Sequence, residues 1–235
     1  MEDILISVEL KGKTVPEDPE ISVEDFVTHL ARISNPKNQF NHSSSRRLWR
    51  YLLRKKHYSP LEMVNLVVDI TAPRDITRQI LRHRSCAFQE FSQRYANPLE
   101  MGFLSREARL QDHTNRQNSI ELAGTAESRW LASEWERRQK EVIDLVTEHY
   151  QWATKHGIAK ESARVILPEG NMLSRMYVNG TLRSWLHYCY VRMAPDTQKE
   201  HRQVATACWE IVINVFPVLG EPEFHPQNAY NKELI

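Results

Sequence analysis

Glycine is scarce in this sequence, seven residues in 235, and none stands in a GxGxxG or GxxxxGK[ST] pattern. That removes both the dinucleotide-binding turn and the phosphate loop, so any phosphate must be held by side chains. Cysteine is scarcer still. Cys86, Cys189 and Cys208 are odd in number and widely spaced with no CxxC pair, which excludes a disulfide framework and a zinc site and points to a reducing compartment. They read as packing residues, not nucleophiles. Charge of one sign is also lacking: Lys+Arg 31 against Asp+Glu 30 leaves a net charge of +1, so no global field draws the chain to nucleic acid. No apolar run approaches the length of a membrane span, and "MEDILISVELKGKTV" alternates where a secretory leader would be basic and then continuously apolar. The expectation is a soluble, cytoplasmic protein, or one of the host cytoplasm if viral, with a single domain over 1–235 and a loose tail at 221–235.

What is present is patterned. Residues 4–10 read as a strand, and 21–35 as a helix capped by Ser22, with Phe26, Leu30 and Ile33 on one face. A second helix follows "NHSSS", with Leu48, Trp49, Leu52 and Leu53 at helical spacing. Residues 63–72 read as a half-buried strand, and Pro73 opens a helix whose Arg74, Arg78 and Arg82 share one face. One long helix spans 126–156, ended by Gly157; its stripe of Leu131, Trp135, Val142, Leu145 or Val146, and Trp152 is core or a subunit contact. A short helix through "KESARVILP" precedes a strand at "MLSRMYVNG" and a helix capped by Thr181, and Thr197 with Glu200 forms a capping box for the last helix, which Pro217 terminates. The architecture is α+β, a small mixed or antiparallel sheet flanked by helices with a helical C-terminal half.

The stretch "LRHRSCAFQEFSQRYANP", 81–98, places Arg82, His83, Arg84 and Arg94 beside aromatic rings with Glu90 as the only local acid. Cations at a helix end complement its dipole, an effect worth roughly 0.3 to 1 kcal/mol. Repulsion among so many guanidinium groups outweighs that, so the pattern predicts an anionic ligand, and a planar group donating two parallel hydrogen bonds suits phosphate or carboxylate.

The same residues carry a resemblance. RHR, seven residues, then Ser92, Arg94 and Tyr95 resemble the signature of the flavin-dependent thymidylate synthases. "ARISN" (31–35), "HYSPLEM" (57–63), "TRQILRHR" (77–84), "ARVILP" (163–168), "VNGTLRSWLHY" (178–188) and "RMAPDTQKEHR" (192–202) are similar to further segments in that family's order. The resemblance implies reductive methylation of dUMP to dTMP. The methylene would come from 5,10-methylenetetrahydrofolate and the reducing equivalents from FAD reduced by NADPH, with no metal, in a homotetramer of shared active sites.

It also implies roles. Ser34, His57, Ser59, Arg82, His83, Arg84, Glu90, Asn179, Arg183 and His187 would contact FAD. Gln79, Arg82, Glu90, Phe91, Ser92, Gln93, Arg94, Arg164 and Arg192 would contact dUMP, with Arg94 a phosphate clamp, Gln79 a uracil reader and Glu90 a counterion. Arg192 corresponds to the arginine that activates the uracil ring, where a fixed cation stabilises developing negative charge. Ser92 has no local base and is not read as a nucleophile. Where many members carry a small-x-Ser-x-Asn run, this chain has Ser85, Cys86, Ala87, Phe88 and Gln89, departing at Ala87 and Gln89, and Asp196 stands where some members carry histidine. Two other readings stay open: single-stranded nucleic-acid binding through stacking and phosphate contacts, and a relative that binds flavin or nucleotide without turnover.

Overall fold

The computed structural model describes residues 6–230. In chain order its elements are strand β1 (Ser7–Lys13), helices α1 (Val23–Ala31) and α2 (Ser45–Arg54), strand β2 (Asn65–Pro73), helix α3 (Arg74–Ile80), strands β3 (Cys86–Glu90), β4 (Arg109–Gln111) and β5 (Ser119–Glu121), helices α4 (Ala126–Lys155) and α5 (Lys160–Ala163), strand β6 (Leu173–Thr181), and helices α6 (Leu182–Arg192), α7 (Lys199–Val215) and α8 (Pro226–Tyr230). Four strands form one sheet in the order β1-β2-β6-β3, and β4 pairs antiparallel with β5 in register Leu110 to Ile120. The fold class is α+β.

Two compact units are distinguished, and each draws on separated stretches of chain. In the first (6–7, 71–82 and 89–176), Tyr150 and Ala153 of α4 pack with Ala163, Leu99 and Leu167. Thr125 caps α4 by accepting from the Ser128 amide at 3.2 Å, and Gly157 follows its end at φ +81, a conformation glycine adopts without a Cβ penalty. Buried Gln139 accepts from the Arg106 amide and donates to the Arg106 carbonyl, both at 2.8 Å, so one side chain ties the loop before β4 to α4.

The second unit (8–70, 83–88 and 177–230) holds Trp49, Trp185 and Phe216 at 0–1% exposure. Ser22 caps α1 through the Asp25 amide at 3.0 Å. Each of the two indoles also has its N–H satisfied, Trp49 Nε1 donating to the Glu24 carbonyl at 3.0 Å and Trp185 Nε1 to the Leu66 carbonyl at 3.2 Å. At Gly180 an added Cβ would meet Cys86 Sγ at 3.0 Å, so the close approach of β6 to the start of β3 requires the missing side chain.

Several expectations need correction. The first strand is Ser7–Lys13, and residues 4 and 5 lie outside the described residues. Helix α3 stops at Ile80, so Arg82 leaves the face that Arg74 and Arg78 share, and Pro73 ends β2 as N-cap instead of entering the helix. Thr197 is not a cap: its hydroxyl donates to the Val191 carbonyl at 3.2 Å, and α7 begins behind Gln198 without a side-chain cap bond. The stretch after 221 is anchored through residue 230, with Phe224 buried and Glu221 held by Arg50 in two 2.8 Å hydrogen bonds. On α4 the apolar stripe is exposed, Trp135 at 44%, Leu145 at 52% and Trp152 at 56%, which removes the core alternative within this protomer.

Candidate functional site

In the first unit α3 presents Arg74 and Arg78 one helical turn apart, and both meet Glu90 at the end of β3. Arg78 Nη2 donates to both Glu90 oxygens at 2.6 and 2.5 Å, Ser174 Oγ adds a donor at 2.9 Å and Thr77 Oγ1 one at 3.2 Å. Glu169 offers a second carboxylate, 3.7 Å from Arg74 Nε and 3.8 Å from Arg78 Nε. Burial, and then the neighbouring Arg78, pull the Arg74 guanidinium below its ordinary value. Internal acids therefore compensate these two arginines, where the sequence had suggested a missing external anion. Glu169 is invisible to local reading because it lies far along the chain.

Elsewhere in that unit the arginines are looser. Arg82 is exposed beyond the end of α3, and its guanidinium makes no hydrogen bond or ion pair among the described residues. Arg94 is exposed and 3.3 Å from Glu161, while Lys160 Nζ donates to the Tyr95 carbonyl at 2.8 Å. Gln93 is buried and Phe91 half-buried; Gln79 is half-buried on α3, and half-buried Arg164 lies close enough to act on Arg74. Ser92 Oγ accepts from the Arg94 amide at 3.4 Å, with no histidine or carboxylate bonded to it among the described residues.

The second unit gathers other expected residues. Thr181 caps α6 through the Ser184 amide at 3.2 Å, which sets Arg183 and His187 one turn apart. Both line a cavity of about 450 Å³ that also includes Tyr58, Glu62, Ser85 and Ser184. Arg183 and Tyr58 are shared with a second cavity, of about 410 Å³, lined by His57, Ser59 and Lys56. Arg183 pairs with Glu62, and burial pushes the Tyr58 phenol up. Tyr58, Glu62, Ser85 and Ser184 were not anticipated as lining residues, although "HYSPLEM" carries the first two. Ser34 and Arg84 are exposed and line neither cavity, and exposed Asn179 precedes the Gly180 close approach.

At the far end of α6, Arg192 Nε donates to His83 Nε2 at 2.9 Å. The His83 ring meets Tyr188 edge to face at 4.9 Å, and Tyr188 in turn lies 5.7 Å from the His201 ring. Burial, with the Arg192 and His187 charges, lowers His83 to about 4; burial, with Arg192 and His83, lowers His201 to about 3. Both imidazoles are neutral at physiological pH. Cys189 and Cys208 are buried, and burial pushes all three thiols up.

A family model described as thymidylate synthase complementing protein matches residues 20–218. A probable flavin-dependent thymidylate synthase of Paramecium bursaria Chlorella virus 1 is 40% identical over 200 residues, 85% of this chain and 90% of its own. The flavin-dependent thymidylate synthase of Synechocystis is 40% identical over 210 residues, covering 89% and 94%. Among solved structures, the UMP/dUMP methylase PolB from Streptomyces cacaoi bound with 5-Br dUMP superposes with a TM-score of 0.75 at 27% identity, over 93% of this chain and 94% of that one. Matched along most of its length by both sequence and fold, this chain belongs to the flavin-dependent thymidylate synthase family.

Proposed function

We propose that this protein methylates dUMP to dTMP, with 5,10-methylenetetrahydrofolate as carbon donor and FAD reduced by NADPH as the source of the hydride. Family membership sets the reaction class. The observation that carries the assignment to this chain's own residues is the lining of the two adjoining cavities of the second unit. His57, Ser59, Arg183 and His187 come from separate segments and lie together there, as the family resemblance requires of flavin contacts.

The donor set fits a flavin dinucleotide. Lys56 and Arg183 offer cations for phosphates, Ser59 and Ser85 offer hydroxyls, and Tyr58 offers a ring face to a planar group. When bound, FAD supplies the reducing equivalents, so no protein thiol need form a covalent bond to the pyrimidine. The thiols fit that role poorly: Cys189 and Cys208 are buried and Cys86 half-buried, and with all three raised they hold little thiolate near neutral pH. Arg192 keeps both terminal guanidinium nitrogens free of hydrogen-bond partners among the described residues, and a fixed cation of that kind stabilises negative charge developing on the uracil ring.

In this reading Arg82, Arg84, Ser34 and Asn179 complete the flavin contacts, Gln79, Phe91, Ser92, Gln93, Arg94 and Arg164 serve dUMP, and Glu90 is the counterion of Arg74 and Arg78. The working form is a homotetramer with shared active sites, a reading supported by the exposed apolar face of α4.

Purified protein reconstituted with FAD should be yellow, and should form dTMP when given dUMP, methylenetetrahydrofolate and NADPH. Yellow protein that forms no dTMP would overturn the assignment in favour of nucleotide or flavin binding without turnover.

A further inference from the structure

A guanidinium that must act as a fixed cation needs something to fix it. Arg192 is the last residue of α6, where the side chain would otherwise rotate freely about its four torsions. No carboxylate lies within ion-pair distance of it among the described residues. Among the described residues its one side-chain hydrogen-bond partner is the lone pair of a neutral imidazole.

We propose that His83 is a positioning residue for Arg192, orienting the guanidinium from behind through Nε while leaving its charge uncompensated. This rests on the reading of Arg192 as the cation that faces the substrate ring, and it gives the histidine of the RHR signature a function distinct from flavin contact. Three observations support it. First, the bond runs from Arg192 Nε to His83 Nε2 at 2.9 Å, which requires the proton of the neutral ring to sit on Nδ1 and leaves the two terminal nitrogens to point elsewhere. Second, the His83 ring is held by the same helix: Tyr188 and Arg192 are one turn apart on α6, and Tyr188 meets the His83 ring at 4.9 Å, nearly perpendicular at 79°. Third, Tyr188 is itself fixed, 2% exposed between Trp185 and His201. A carboxylate in the place of His83 would orient the arginine equally well but would cancel its charge. A neutral acceptor does the first without the second.

The test compares His83→Gln, His83→Phe and wild type. Glutamine can place a carbonyl oxygen near the position of Nε2; phenylalanine preserves the ring packing on Tyr188 but offers no acceptor. With wild-type enzyme shown to form dTMP, His83→Phe should lose at least tenfold in kcat at unchanged flavin content, and His83→Gln should recover most of that loss. The second readout needs no turnover: nitrogen chemical shifts of the histidines in apo protein should show Nε2 of His83 as the unprotonated, hydrogen-bonded nitrogen in wild type, and that signature should disappear in Arg192→Ala. Equal kcat in His83→Phe and wild type, or an Nε2-protonated His83, would overturn the proposal. So would loss of flavin alike in both His83 variants, which would return His83 to the flavin site. Failure of wild type to make dTMP would instead overturn the reaction assigned above, leaving the shift experiment to decide the hydrogen bond alone.

Discussion

Two arginine sites, one in each unit, are held in place by opposite means. In the first, Arg74 and Arg78 are locked onto Glu90, with Glu169 nearby, and hydroxyls of Thr77 and Ser174 complete the carboxylate's shell. In the second, Arg192 rests against the uncharged His83, backed by Tyr188 and His201. A compensated guanidinium is a structural rivet, because its field is already spent within the protein. An uncompensated one, equally well oriented, remains able to stabilise charge on something else. Counting arginines therefore says little about a ligand site until their partners are known.

The largest effect should come from breaking the compensated side. Glu90→Ala removes the carboxylate between two partly buried guanidinium groups, and should cost about 3 to 5 kcal/mol of stability, measured by urea unfolding; Glu90→Gln should be milder because hydrogen bonds persist. A loss near zero would mean that Glu169 alone suffices. Arg192→Ala should do the reverse, leaving unfolding nearly unchanged while lowering kcat for dTMP formation by about 10²- to 10³-fold, with flavin absorbance retained. Full activity in that variant would remove Arg192 from the chemistry.

The neutral histidines sharpen the contrast through pH. His83 and His201 have folded pKa values of about 4 and about 3, below the ordinary 6.5, so the unfolded chain binds more protons in that interval. Their contribution to stability is present above pH about 6.5 and is lost as pH falls through the interval, with a slope of at most about 1.4 kcal/mol per pH unit for each histidine. Unfolding free energies measured between pH 7 and 4 should show it, and His201→Phe should flatten the slope. Smaller effects belong to local contacts. Thr181→Ala should cost about 1 kcal/mol through loss of the α6 cap, whereas Glu161→Ala, which frees exposed Arg94, should cost less than about 1 kcal/mol; thermal melts distinguish the two.

Much of this was legible residue by residue. Ser22 and Thr181 lie immediately before runs of helical periodicity, Gly157 lies just past one, and β2 and β6 show their β-branched or alternating character in a few consecutive residues. The RHR stretch and its matched segments carry the family resemblance in the linear sequence. What failed was of one kind. Thr197 looks like a cap, but its hydroxyl finds the Val191 carbonyl instead; Arg82 continues the spacing of Arg74 and Arg78, but α3 stops two residues short; the region after 221 lacks periodicity, yet Phe224 is buried and its carbonyl accepts from the Tyr190 hydroxyl at 3.3 Å.

The sequence by itself determined the longer helices and the strands β1, β2 and β6 to within a few residues, the lack of phosphate-binding loops, and membership of a family, while β3, β4, β5 and α8 went unread. These depend on caps, turns and periodicities whose interactions span about four residues, within reach of a linear reading. Only the tertiary structure decided which arginines are neutralised and which are not, and which side of α4 is left bare. Glu90 reaches Ser174 and Arg192 reaches His83 across long separations in the chain, and a charge is silenced or left active by whatever lies within a few ångströms in space, whatever its distance along the sequence.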